Sequence, residues 1–312
     1  MPLETRWPGD KRFAFTIFDD TDLATLENVS PVYSFLRDCG FRTTKSAWVI
    51  AGDPGQRESG WAGATCEEPD HLRWLLDLQA SGFEIGWHNA TWNGVPRAQI
   101  LRALERFAEL FGHEPTTASN HSLDEGIYWG EARVTGWHAF AYGLLTCFRN
   151  YSRFRGHVEN DEFFWGDFCK AKIKYYRNFV FQDINTLKMC PFMPYHDPRR
   201  PYVNQWFASS NGQNVRSFDQ CISEESQDRL EEEGGACIIY THFAKGFAHG
   251  QELEPRFESL MKRLARKNGW FVPAATLLDY LLAANGSHAI TDVQRRRLER
   301  KWLLEKIWTG TN

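Results

Sequence analysis

Phe13-Ala14-Phe15-Thr16-Ile17-Phe18-Asp19-Asp20 is a run of apolar and β-forming residues that stops abruptly at two carboxylates. It reads as a buried strand with a polar end. Downstream, Pro31 to Cys39 has helical spacing, with Ser30 placed to cap it, Val32, Phe35, Leu36 and Cys39 on one face, and Gly40 just past its end. Thr43 to Ile50 reads as a strand again. After a Gly/Pro-rich loop, a helix over Pro69 to Ser81 turns Leu72, Leu75 and Leu76 inward, Phe83 to Trp87 forms a third strand, and Pro96 to Phe111 a third helix closed by Gly112. Successive strand-helix units predict a parallel sheet, closed or open, with ligands at the carboxyl ends of its strands. Asp19, Asp20, His88 and His121 each follow a predicted strand, so the rule gathers them on one face.

The middle of the chain, Leu123 to Gly235, is rich in aromatics and Arg and shows no repeat; it reads as barrel strands carrying long insertions. Order returns with Ala236 to Tyr240, a strand leading into Thr241-His242. A helix over Pro255 to Asn268, a strand over Trp270 to Val272 and a core helix over Ala274 to Leu282 follow. Thr291 and Gln294 form a capping box that opens a basic amphipathic helix with Val293, Leu298, Trp302 and Ile307 on its apolar side. Its Arg295-Arg296-Arg297 cluster is expected on a solvated face; binding of a phosphate or an anionic membrane is the alternative. The expected division is a barrel over residues 1–284 and a carboxyl-terminal amphipathic helix over 285–312, packed on the barrel or extending from it.

At 312 residues the chain can bury one large α/β barrel or two smaller domains. A formal net charge of -4 with both signs interspersed lacks the basic footprint of a nucleic-acid partner. The 13 Trp suit stacking platforms for sugar rings as well as a wide, well-filled core. Cys39, Cys66, Cys147, Cys169, Cys190, Cys221 and Cys237 are odd in number and show no C-x-x-C spacing, which argues against a disulfide framework and a thiolate zinc site. The amino-terminal MPLETRWPGDKR lacks an apolar signal-peptide core, and no stretch approaches the roughly 18 apolar residues of a membrane span. A cytoplasmic protein without a membrane span is expected.

Successive strand side chains point oppositely, so adjacent carboxylates at a strand end can take different roles only where the backbone turns out of the sheet. One can hold a metal while the other holds water; equally, such pairs cap turns, and Asp20 or Asp22 could organise the following loop. His88 and His242 add imidazoles at two further strand ends.

Phe15-Thr16-Ile17-Phe18-Asp19-Asp20 resembles the T-F-D-D motif of the polysaccharide deacetylases, the NodB-type enzymes of carbohydrate esterase family 4. Gly82-Phe83-Glu84-Ile85-Gly86-Trp87-His88 is similar to their G-H-E-I-G-N-H segment, and Gly112-His113-Glu114-Pro115 to the approach to their third motif. Ile238-Ile239-Tyr240-Thr241-His242 resembles their late strand ending in histidine. Gly269-Trp270-Phe271-Val272-Pro273, followed by Leu277-Leu278-Asp279-Tyr280-Leu281, is similar to their last strand and helix. The resemblance covers both ends of residues 12–283.

The resemblance implies an α/β fold, a distorted (β/α)7-type barrel with long insertions in the middle, holding one divalent metal ion. Zinc is expected, with manganese, iron or cobalt as alternatives. Carried over, Asp19 is the catalytic base, Asp20 a metal ligand and His242 the general acid. His88 fits the first place of the family's H-x-x-x-H motif, but the second is Trp92. His121 stands where the family has its R-P-P-Y-G loop and is expected to replace the missing ligand, giving Asp20, His88 and His121. The family's Arg, which orients the base, is absent from that loop. The implied activity is removal of an N-acetyl group from a sugar, nucleotide-linked, lipid-linked or oligosaccharide, in surface-polysaccharide or O-antigen assembly. A catalytically inactive sugar-binding or regulatory derivative, and a hydrolase of small-molecule C-N bonds, are the competing readings. Trp129, Trp137, Trp165, Tyr151 and Arg153 are candidate wall residues, and His138, His157, His196 and Asp197 spare polar groups.

Overall fold

A computed structural model describes residues 7–55, 60–149 and 151–310. The first six residues, on which the reading of the amino terminus partly rests, lie outside the described residues. In chain order the strands are β1 (Phe13–Asp19), β2 (Thr44–Ala47), β3 (Glu84–Trp87), β4 (Thr117–Ala118), β5 (Tyr175–Phe181), β6 (Tyr195–His196), β7 (Gln205–Gly212), β8 (Ala236–Thr241), β9 (Ala248–His249), β10 (Glu252–Leu253), β11 (Gly269–Phe271) and β12 (His288–Ala289). Seven of them close a ring, β1-β2-β3-β4-β5-β7-β8 and back to β1, with every neighbouring pair parallel.

The ring is distorted where β11 pairs with the lower half of β1, from Phe13 opposite Gly269 to Phe15 opposite Phe271. There β2 meets only the upper end, Phe18 opposite Thr44 and Asp19 opposite Lys45. Outside the ring, β6 runs antiparallel beside β7, β12 extends β6, and β9 and β10 form a separate hairpin.

The helices are α1 (Leu26–Asp38), α2 (Pro69–Ala80), α3 (Arg97–Phe111), α4 (Trp137–Leu145), α5 (Gly166–Lys172), α6 (Thr186–Met189), α7 (Val215–Cys221), α8 (Glu224–Glu232), α9 (Pro255–Ala265), α10 (Ala274–Asn285) and α11 (Asp292–Thr309). α1 starts earlier than its Pro predicts: Thr25 and Asn28 form a reciprocal capping box, and Pro31 lies inside the helix. Among the described residues no helix is long and apolar enough to cross a membrane.

Strand alternation divides β1 between two environments. Phe13 and Phe15 pack on Phe271 and Phe41, outside the ring. Phe18 meets Phe207 of β7 and the Arg177 guanidinium of β5, across the barrel interior. Asp19 belongs to the outward set and Asp20 to the inward set. At the opposite end of the barrel, Glu84 is partly buried and fully engaged, accepting from Thr44 (2.6 Å), Thr117 (2.7 Å) and the Ala275 amide (3.0 Å), which ties three strands and sheet to helix.

α11 differs from a simple amphipathic helix. Leu298, Trp302 and Leu303 are buried, but so are Arg295, Glu299 and Lys306, whereas Val293 and Ile307 are exposed. Arg295 does not sit on a solvated face: it donates to Asp197 through Nε (2.9 Å) and Nη2 (2.6 Å). Arg200 bridges the same Asp197 to Glu299, which also accepts from Thr135 and contacts His138. The inserted segment that carries α4 is thereby stapled to α11.

Candidate active site

The carboxyl ends of the barrel strands surround a cavity of about 460 Å³ lined by Asp20, Asp22, His88, His121, His242 and Arg177 among others. That size suits a small ligand. Trp92, Trp129, Arg153 and Lys245 add to its wall.

Asp22 is the hub. Its Oδ1 lies 2.7 Å from His121 Nδ1, and its Oδ2 lies 2.8 Å from His242 Nε2 and 3.3 Å from His88 Nε2. The imidazoles are oriented from behind. Ser119 donates its only hydroxyl hydrogen to Asp20 (2.9 Å), so its oxygen accepts from His88 Nδ1–H at 2.8 Å. His242 Nδ1–H donates to the Gln213 carbonyl at 2.9 Å. His88 therefore presents the lone pair of Nε2 to a carboxylate, and that atom has no hydrogen-bond donor to accept from. Acceptors turned on one another at this depth are what a bound cation relieves.

Among the described residues two groups have ligand atoms close enough to share an ion: Asp22, His88 and His121, and Asp20, Asp22 and His242. Nitrogen and carboxylate donors of this kind suit zinc and its first-row neighbours. Burial lowers the His88 pKa despite the pull of Asp20 and Asp22, which favours the neutral, ligating imidazole. Burial acts the other way on Asp22, but His121 and His88 outweigh it and hold the carboxyl well below the usual range.

Asp20 is engaged differently. Arg177 approaches it with both Nη atoms, Nη1 at 2.9 Å, and lies in the fork geometry that guanidinium offers a carboxylate. Burial raises its pKa, yet Arg177 and His88 more than offset that and keep Asp20 ionised. His88 Nδ1 is 3.7 Å from Asp20, and its Nε2 faces Asp22 instead. The expected trio of Asp20, His88 and His121 does not bring its ligand atoms together; those of Asp22, His88 and His121 do lie close enough to share an ion.

Asp19 lies outside this cavity. It is completely buried against the helix layer, where its Oδ2 is 3.2 Å from Lys45 Nζ and accepts from Tyr33 (3.1 Å), and its Oδ1 accepts from the Phe243 amide (2.8 Å). Burial pushes its carboxyl up against the pull of Lys45 and the Phe243 amide. The position after His242 is thereby tied to β1. The reason is strand parity: Asp19 continues the outward set, while Asp20 and Asp22, two apart, turn inward together.

Trp92, at the vacated ligand position, is a buried wall residue edge-on to Trp48. Of the other wall candidates, Trp129 and Arg153 line the cavity, Trp165 is buried behind it and donates to the Glu125 carbonyl (2.7 Å), and Trp137 and Tyr151 are exposed. His138, His157, His196 and Asp197 do not line it. Sequence reasoning missed Arg177, Ser119, Arg133 and Lys306. An Arg inside the apolar strand Tyr175–Phe181 was the one available signal.

No protein-family model and no characterised protein matches the sequence. Similar solved structures include Puue allantoinase, 13% identical, covering 90% of this chain and 93% of its own with a TM-score of 0.50. A Mycobacterium smegmatis protein assigned to the polysaccharide deacetylases is 11% identical over 92% of this chain and 96% of its own, TM-score 0.49. A Pseudomonas aeruginosa PAO1 protein with the same assignment is 13% identical over 90% and 94%, TM-score 0.49. The likeness is one of fold, a closed seven-stranded parallel barrel flanked by helices.

Proposed function

We propose that the protein is a metal-dependent hydrolase that removes an acyl group from an amino sugar. The observation that carries this is the convergence of His88, His121 and His242 on Asp22, beside an ionised Asp20 held by Arg177. Asp22, His88 and His121 would hold the ion. When bound, it supplies a Lewis acid that polarises the acyl carbonyl and acidifies water.

The chain's own residues supply the rest. Asp20, fixed by Arg177 and Ser119, accepts the proton of the attacking water. His242, its Nδ1–H held by the Gln213 carbonyl, presents Nε2 to the cavity and gives the proton to the departing nitrogen. Asp19 does neither; it positions the turn at His242 through the Phe243 amide. Arg177, from β5, takes the base-orienting role of the Arg that is absent from the third-motif loop. Trp92 closes the wall without emptying the ligand set, which favours an active enzyme over an inactive derivative. A precursor in surface-polysaccharide assembly remains the proposed setting.

Acetate release from N-acetylated amino sugars after metal reconstitution tests this. Wild type is expected to release acetate and Asp20→Asn to lose at least about a hundredfold in kcat, the usual scale of a lost general base. Full activity in Asp20→Asn would overturn the assignment of Asp20.

A further inference from the structure

The cavity carries more positive charge than its carboxylates answer. Five cationic side chains line it against Asp20 and Asp22, and Arg177 is already paired with Asp20. A bound divalent cation would widen the imbalance.

Arg133 and Lys306 stand out among these cations. They are 2% and 5% exposed, come from the inserted segment and from α11, and face the same cavity. Among the described residues neither has a carboxylate partner, and Arg133 Nε has no hydrogen-bond acceptor. The carboxylate that Lys306 feels, Glu305, accepts from the Gln182 amide at 2.8 Å. The Arg133 guanidinium lies over Trp129 at 3.3 Å and 5.0 Å from Trp302, which fixes its plane and leaves in-plane N–H donors. Burial pushes Lys306 down to about 8, with Arg133 adding to the effect, so each cation opposes the other. Two buried, mutually repelling cations without partners are costly to fold unless something else answers them.

We infer that Arg133 and Lys306 form an anion subsite that receives a phosphoryl group, so that the substrate of this cavity is phosphorylated. A dianionic phosphoryl group neutralises both cations, where a carboxylate neutralises one. The guanidinium edge and the ammonium supply the fork and the point charge that phosphate oxygens accept. Identification of the rest of the substrate as an acylated sugar rests on the reading above; the anion subsite does not.

Calorimetric titration of the metal-reconstituted full chain tests it, with N-acetylglucosamine, its 1-phosphate and its uridine diphosphate conjugate as probes. At least one phosphorylated probe is expected to bind about tenfold or more tightly than the neutral sugar. The two phosphorylated probes separate a terminal phosphoryl group from a diphosphate linkage. The advantage is expected to vanish in Lys306→Met and in Arg133→Met. Lys306→Met should melt at or above wild type, because it removes an uncompensated buried charge. Equal affinities for all three probes, or an advantage that survives both substitutions, would overturn the subsite. Acetate release measured in parallel separates the two claims. Phosphate-selective binding without acetate release would overturn deacylation and keep the subsite. Acetate released at equal kcat/KM from neutral and phosphorylated sugars would do the reverse.

Discussion

Asp19, Asp20 and Asp22 show how one residue of register changes a chemical assignment. The doublet at the strand end draws the eye, yet its members face opposite sides of the barrel wall, and the pair that shares the cavity is Asp20 and Asp22. Lys45 lies directly opposite Asp19 on the neighbouring strand, on the same outward face. Asp19→Asn is therefore expected to act through stability: it leaves the completely buried Lys45 ammonium without its carboxylate, at a cost of about 3–5 kcal/mol in denaturant melts. Lys45→Met introduced into Asp19→Asn should restore much of that loss. Asp22→Asn is expected to behave oppositely. Its diagnostic effect is on metal content: it should retain less than about a tenth of an ion per chain, because the carboxylate on which the imidazoles converge is gone. Stoichiometric metal in Asp22→Asn would contradict the assignment.

The elements differ in how far their residues announced them. β1, β3 and β8 were legible because each is a short, mainly apolar or β-forming run ending in a chemical group, and α2, α3, α9 and α10 because of their apolar spacing, although in α2 Leu76, expected inward, is exposed and Leu78 is buried instead. Thr291 and Gln294 correctly marked the start of α11, with Thr291 accepting from the Gln294 amide at 3.2 Å. The face that α11 buries was not legible. Helical periodicity sorts apolar from polar positions, whereas α11 docks through an ion network whose partners, Asp197 and Arg200, lie about a hundred residues away in sequence. For the same reason the inserted middle concealed Arg177, Arg133 and the barrel strands β5 and β7. His88, His121 and His242 were placed at the site by the strand-end rule alone, but choosing Asp22 required knowing that the chain keeps its parity past the end of β1. The network makes its own prediction. Asp197→Ala takes from Arg295 and Arg200, both almost completely buried, the carboxylate they share, leaving them Asp292 and Glu299, and should cost about 3 kcal/mol of stability, measured by denaturant titration. An effect below about 1 kcal/mol would show that α11 is held by its apolar contacts alone.

At the scale of the whole molecule, buried titratable groups set the pH range of the metal-free protein. Burial lowers His71 to about 3 and His157 to about 4, so both stay neutral in the folded chain while the unfolded chain takes up protons below about 6.5. Their contribution is present above about 6.5 and is lost as the pH falls toward 3. Glu125 has the opposite sign. Burial raises it to about 8, so the folded chain keeps a proton that the unfolded chain releases above about 4.5, and that stabilisation is lost as the pH rises through 8. Glu125→Gln is expected to gain stability relative to wild type as the pH increases from about 5 to 8, by a few kcal/mol, in thermal melts of the metal-free protein. A constant difference across that range would contradict the buried, protonated state of Glu125. The central claim is that the barrel end holds one divalent ion on Asp22, and anomalous diffraction from zinc-soaked crystals tests it most directly. The predicted result is a single peak with an Asp22 oxygen and the His88 and His121 nitrogens at about 2.0–2.2 Å. A peak held by Asp19 and Asp20, or none at this end of the barrel, would contradict it.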